Sequence, residues 1–211
     1  MTKKELRSRK QQEVGRLTIP VKIGSDHIRG SANNDSPITL VEYGDYECPY
    51  TGMAYPIVKE LIRGFGNDKI RFVFRNFPLN EIHPHAQHAA EAAEASSAQN
   101  KFWQMHDYLF EHQKVLDDGH LFEYAQKVGL KDIHKFKDDV SKHVYAPLIE
   151  ESLKGGVDSG VEGTPTFFIN GVRYEDSFDL RTFSEISSAI QKQHGITLTS
   201  IKDMINKLIL I

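Results

Sequence analysis

The chain has 211 residues, with 26 Lys and Arg against 29 Asp and Glu, and a formal net charge of −3. That near balance argues against a nucleic-acid partner or an anionic membrane surface, and the length fits one domain elaborated by an insertion. A single cysteine, Cys48, excludes an internal disulfide.

Residues 1–16, MTKKELRSRKQQEVGR, read as a mobile, charged leader. The segment lacks the apolar centre of a secretory signal, and no apolar run approaches a membrane span. The expected setting is soluble, cytoplasmic and reducing, where thiol chemistry is transient and catalytic. LTIPVKI alternates weakly and predicts a short edge strand, the one place that tolerates Pro20. GSANNDSP is a turn-rich connector. ITLVEY, from Ile38, is a β-branched apolar run that predicts a central buried strand. A helix then starts at Cys48, with Pro49 in the first helical position, and stops near Gly64 and Gly66. KIRFVFRNF predicts a second strand.

Over residues 81–157 the period turns helical. PHAQHAAEAAEASSAQ is alanine-rich and lets a helix approach its neighbours closely. KFWQMHDYLFEHQ carries Phe102, Met105, Leu109 and His112 at helical spacing. LFEYAQKVGL, IHKFKDDVSKHV and YAPLIEESLKGG complete a helical subdomain. VEGTPTFFINGVRYED returns to a period of two, with TFFI and VRYE flanking the hairpin signal Asn170-Gly171. DLRTFSEISSAIQKQ predicts a closing helix. In the tail, Ser200 and Asp203 have capping-box spacing, and Ile201, Met204, Ile205 and Leu208 share one apolar face. That face either docks on its own domain or pairs with a second subunit.

Cys48 follows a buried strand and opens a helix. A sulfur there meets unpaired N–H groups and the positive end of the helix dipole. Both stabilise a thiolate and lower a thiol pKa from its free value of about 8.5. A lone cysteine is more often a buried small hydrophobe; the strand-Cys-Pro-helix context reverses that preference. Thr164-Pro165, in GTPT, stands immediately before a strand. The proline is either a plain strand-edge residue or a cis proline. A cis bond would free the Thr164 backbone to pair with an extended peptide, as in strand addition.

EYGDYECPYTG, RNFPLNEIHPHAQHAAEAAEA, KFWQMHDYLF and GVEGTPTFFING, in this order from about residue 20 to about residue 190, resemble the DsbA-like thioredoxin-fold thiol-disulfide oxidoreductases. The resemblance implies an α/β, thioredoxin-like fold with an inserted helical subdomain. Residues 17–80 and 158–195 would form the thioredoxin-like domain, 81–157 the insertion and 196–211 a C-terminal amphipathic helix. Cys48 would be the nucleophile, with Pro49, Tyr50, Gly163, Thr164 and Pro165 binding substrate around it. Thr51 departs from the pattern, because the family places its resolving cysteine there. Cys48 can then form a mixed disulfide with a cysteine-containing protein or peptide, but release needs glutathione, another small thiol or a substrate cysteine. The Thr51 hydroxyl, one turn on, is positioned to hydrogen-bond the sulfur. No bound cofactor is expected. Two other readings use the same fold: a redox-inactive peptide-binding or chaperone module, and a glutathione-dependent transferase or isomerase of kappa type.

Other features invite chemistry less strongly. His83, His85 and His88 have spacings a metal could use, but no cysteine or carboxylate cluster accompanies them, and His83-Pro84 reads as a helix start. Asp45 and Glu47 read as solvated charges beside Cys48, and Phe102, Trp103 and Tyr108 as core.

Overall fold

The computed structural model describes residues 15–32, 38–66 and 68–174. The closing helix, the C-terminal tail and leader residues 1–14 lie outside them. In chain order the elements are β1 His27–Gly30, β2 Ile38–Gly44, α1 Pro49–Phe65, β3 Ile70–Asn76, α2 Ala86–Ser97, α3 Phe102–Glu111, α4 Asp118–Lys127, α5 Ile133–Ser141, α6 Ala146–Asp158, β4 Thr166–Ile169 and β5 Val172–Arg173.

The two apolar runs become the middle of a five-stranded sheet, ordered β1-β3-β2-β4-β5. β2 and β3 pair in parallel from Ile38 opposite Ile70 to Gly44 opposite Asn76. A parallel pair needs a long crossover, which α1 supplies. β4 runs antiparallel to β2, with Tyr43 opposite Thr166, so the end of β2 that leads to Cys48 meets the start of β4. The β4–β5 hairpin closes through Asn170 and Gly171 at φ 49° and 79°, the left-handed pair that a two-residue primed turn requires.

Alternation along the strands divides the core. Leu40, Phe72, Phe74 and Phe167 pack in one cluster with Val58, Leu61 and Phe65 of α1 and the alanine face of α2. Val41, Tyr43, Val73 and Phe168 form the other, with Phe77 and Val161. On that second side α6 comes close, because Gly155 and Gly156 lack side chains; a Cβ on Gly156 would lie 2.6 Å from the Phe77 ring. The alanine run of α2 serves the same end: Ala89, Ala92 and Ala93 have no exposed surface.

The expected edge strand over LTIPVKI is not formed. The edge beside β3 is taken by His27–Gly30, with His27 opposite Phe74. Pro20 cannot donate to a ladder, and the preceding segment is held by side chains instead. Arg75 donates from Nη1 to the Ile19 carbonyl at 2.9 Å and from Nη2 to the Pro20 carbonyl at 3.3 Å, while Thr18 N donates to Ser159 Oγ at 3.0 Å. Arg75 also pairs with Asp26 at 2.9 Å. Gly15 and Arg16, at the end of the charged leader, pair with the β4–β5 hairpin. In α3 the buried face comprises Phe102, Met105, His106, Leu109 and Phe110; His112 is the half-buried residue that ends the helix.

Candidate active site

Cys48 is the N-cap of α1, with φ −68° and ψ 121°. Its carbonyl accepts the first helical hydrogen bond, from Gly52 N at 3.0 Å. No side chain caps the helix, so its first N–H groups and the positive end of its dipole face the region of the sulfur. The sulfur lies just beneath the surface, with Cys48 3% exposed. Across the site the Thr164-Pro165 peptide is cis, and Cys48 Sγ donates to the Thr164 carbonyl at 3.2 Å. Cys48 and the Thr164-Pro165 peptide, more than a hundred residues apart in sequence, meet at this contact.

The other anticipated residues fall around this contact. Pro49 and Tyr50 are exposed, Tyr50 by 70%. Gly163, Thr164 and Pro165 are half-buried. The Gly163 carbonyl accepts from Thr166 Oγ1 at 2.7 Å, which ties the loop to the start of β4. Thr164 Oγ1 is buried and has no hydrogen-bond partner. Thr51 is fully buried, and its hydroxyl accepts from Asp45 N at 3.5 Å; the hydrogen bond of the sulfur is the one to Thr164.

Asp45 is not the solvated charge expected from its place after a strand. It is 1% exposed, and three donors satisfy it there: Glu47 N at 2.8 Å, Leu79 N at 2.9 Å and His83 Nδ1 at 2.7 Å. Glu47, half-buried, accepts from His85 N at 2.6 Å. Both carboxylates thus anchor the 79–85 loop to the turn that presents Cys48. The three histidines consequently diverge: His83 engages Asp45, His88 engages Asp118 and His85 is the N-cap of α2. Among the described residues no group of three or more His, Cys, Asp or Glu is placed to hold a metal. Phe102 is buried, and Trp103 and Tyr108 pack partly buried against the core.

Three side chains near the site were not anticipated from sequence. Glu42 lies in the middle of β2 at 3% exposure, with Oε1 lacking a partner. Burial raises its pKa to about 8, so the carboxyl stays largely protonated at neutral pH. Alternation places it with Leu40, on the α1 side of the sheet. His106 is 2% exposed and bonds Tyr46 OH through Nδ1 at 3.1 Å. Burial, followed by the nearby charges of Arg29, His27 and Lys59, pushes its pKa well below the ordinary range, which keeps the imidazole neutral. Gln113 reaches from the loop after α3 to the active-site turn, donating from Nε2 to the Tyr46 and Cys48 carbonyls at 2.9 and 2.7 Å. A lone acid inside ITLVEY was a readable signal for Glu42; nothing local marks Gln113.

A thioredoxin-like sheet with a cysteine at the start of its first helix and a cis proline facing it defines a protein of the thiol-disulfide exchange class. The sequence matches the family described as thioredoxin over residues 23–192. The chain belongs to that family, and it shares its fold with solved DsbA proteins. Solved structures of similar fold include oxidised BdbD from Bacillus subtilis, with a TM-score of 0.71 and 23% identity over 89% of this chain and 99% of that one. The catalytic domain of Proteus mirabilis ScsC has a TM-score of 0.66 and 18% identity, over 90% and 98% of the two chains. In sequence the chain is 45% identical over 168 residues to Na(+)/H(+) antiporter NhaA 1 of Salinispora arenicola, covering 80% of this chain and 25% of that protein. The chain spans about a quarter of the length of the curated relatives it matches. Among its described residues no helix is long and apolar enough to cross a membrane.

Proposed function

We propose that Cys48 is a single nucleophile that exchanges disulfides through a mixed disulfide and is released by an external thiol. Its thiolate attacks one sulfur of a substrate disulfide. A Cys48–substrate S–S bond forms, the substrate S–S bond breaks, and the other substrate sulfur leaves as a thiolate. With Thr51 in place of a second cysteine, the chain has no internal thiol to displace the substrate. A small thiol such as glutathione, or the substrate's own second thiolate, attacks the mixed disulfide and returns Cys48 to the thiolate. A reducing, cytoplasmic setting would supply that thiol.

The observation that carries this reading is the 3.2 Å contact between Cys48 Sγ and the Thr164 carbonyl, at a helix start. An extended substrate that takes the Thr164 backbone as a strand partner brings its disulfide to the sulfur. The test is intact mass measurement after mixing the protein with a disulfide-bonded peptide. One adduct on the parent, absent from Cys48→Ser and discharged by glutathione, is expected; no adduct on the folded parent would refute the reading.

A second reading has its own observation. Tyr50, Met53 and Ile82, in α1 and the loop anchored to its turn, are exposed by 70%, 68% and 69%, while Cys48 is buried. An apolar surface over a covered cysteine suits peptide binding without turnover. Under that reading Cys48→Ser retains full binding and function.

A further inference from the structure

We infer that Gln113 is a positioning residue for Cys48, through which the helical insertion holds the sulfur in its attacking place; this rests on the nucleophile reading above. Three observations carry it. Both hydrogens of the Gln113 amide are used on the active-site turn, at 2.9 Å to the Tyr46 carbonyl and 2.7 Å to the Cys48 carbonyl. Those two carbonyls bracket the turn that ends in the N-cap. The amide also lies directly against Gly52: a Cβ there would collide with Gln113 Oε1 and come within 2.8 Å of Nε2. Gly52 donates its own N–H to the same Cys48 carbonyl at 3.0 Å. Glycine at this point of the first helical turn is what lets the glutamine side chain pass.

The same insertion grips the turn a second time, because His106 of α3 binds the Tyr46 hydroxyl at 3.1 Å. The side chain and the main chain of Tyr46 are thus both fixed from one helix and its following loop. Reaction at a sulfur depends steeply on placement, since errors of about 1 Å cost on the order of a hundredfold in rate. Gln113 acts on the sulfur only through the Cys48 backbone and never touches the substrate. It also keeps the first turn of α1 closed, so that the helix N–H groups remain directed at the sulfur.

The experiment is a double-mutant cycle on the full chain with Gln113→Ala, Gly52→Ala and both together. The readout is the rate of mixed-disulfide formation with oxidised glutathione as a function of pH, well below the melting temperature of every variant. Gln113→Ala is expected to slow the reaction at neutral pH by roughly ten- to a hundredfold and to move the rate–pH profile to higher pH. Gly52→Ala, by displacing the glutamine, should give the same profile. In the Gln113→Ala background the added methyl has room, so Gly52→Ala should cause no further loss. A profile unchanged in Gln113→Ala, or losses that simply add, would overturn the inference while leaving Cys48 as nucleophile. No adduct on the parent would overturn both. If Gln113→Ala does not fold, Gly52→Ala decides alone: a parental profile overturns the inference, and a shifted one supports it.

Discussion

Replacing Glu42 by glutamine should change how stability depends on pH. Glu42 is 3% exposed, and burial raises its pKa from an ordinary 4.5 to about 8. Between those values the folded protein keeps a proton that the unfolded chain releases. The unfolded state therefore binds fewer protons, and stability falls as pH rises. Each unit costs about 1.4 kcal/mol. The loss relative to pH 4.5 is about 3 kcal/mol at pH 7 and about 4 kcal/mol by pH 8, a large share of the roughly 5–15 kcal/mol typical of a domain. The introduced amide is an uncharged near-isostere with nothing to ionise. Urea unfolding of the parent and Glu42→Gln across pH 5 to 8.5 should give similar midpoints near the acid end and a progressively more stable variant above it. Parallel curves would show that Glu42 ionises in the folded state as freely as in the unfolded one, and the burial argument would fail.

His106 acts with the opposite sign. Its folded pKa is depressed below 6.5, so the unfolded chain gains a proton below pH 6.5 that the folded protein refuses, and stability falls as pH drops. His106→Phe should flatten that acid limb in melting curves recorded between pH 5 and 7; an unchanged limb would assign it elsewhere. Thr51→Cys places two thiols one turn apart on α1, about 5–6 Å between their Cβ atoms, and disulfides commonly span Cα separations of about 4.4–6.8 Å. It should form an internal disulfide under mild oxidant and oxidise a reduced substrate, whereas two persistent free thiols would contradict the monothiol account. Gly156→Ala brings a methyl to 2.6 Å from the Phe77 ring and 3.1 Å from Tyr43. Overpacking of this kind costs about 1–3 kcal/mol, readable as a lowered urea midpoint; an unchanged midpoint would mean that α6 can shift freely.

The parts of this protein that sequence revealed are those governed by local chemistry. ITLVEY and KIRFVFRNF are strand-like along their whole length and became β2 and β3. Pro49 after Cys48, and Asn170-Gly171 between two alternating runs, carry backbone preferences that fix a helix start and a turn. LTIPVKI misled because its weak alternation competed with Pro20, and its carbonyls were taken by Arg75, 55 residues away from Pro20. Asp45 misled for a similar reason: two of its three donors come from the 79–85 loop, which no local pattern places beside it. Gln113 is legible only once α3 is packed against the active-site turn.

Cys48 is either held as a nucleophile or stored as a small hydrophobe, and the proposed exchange requires the first. The most direct test compares the rate of mixed-disulfide formation with oxidised glutathione at pH 7 for the folded protein and for the unstructured peptide GDYECPYTG. The two share the same local residues and differ in the fold around the sulfur. A faster reaction in the folded protein is expected of a sulfur held as a nucleophile. A slower one would mean that the fold, with Cys48 only 3% exposed, shields the thiol, and would contradict the proposed exchange.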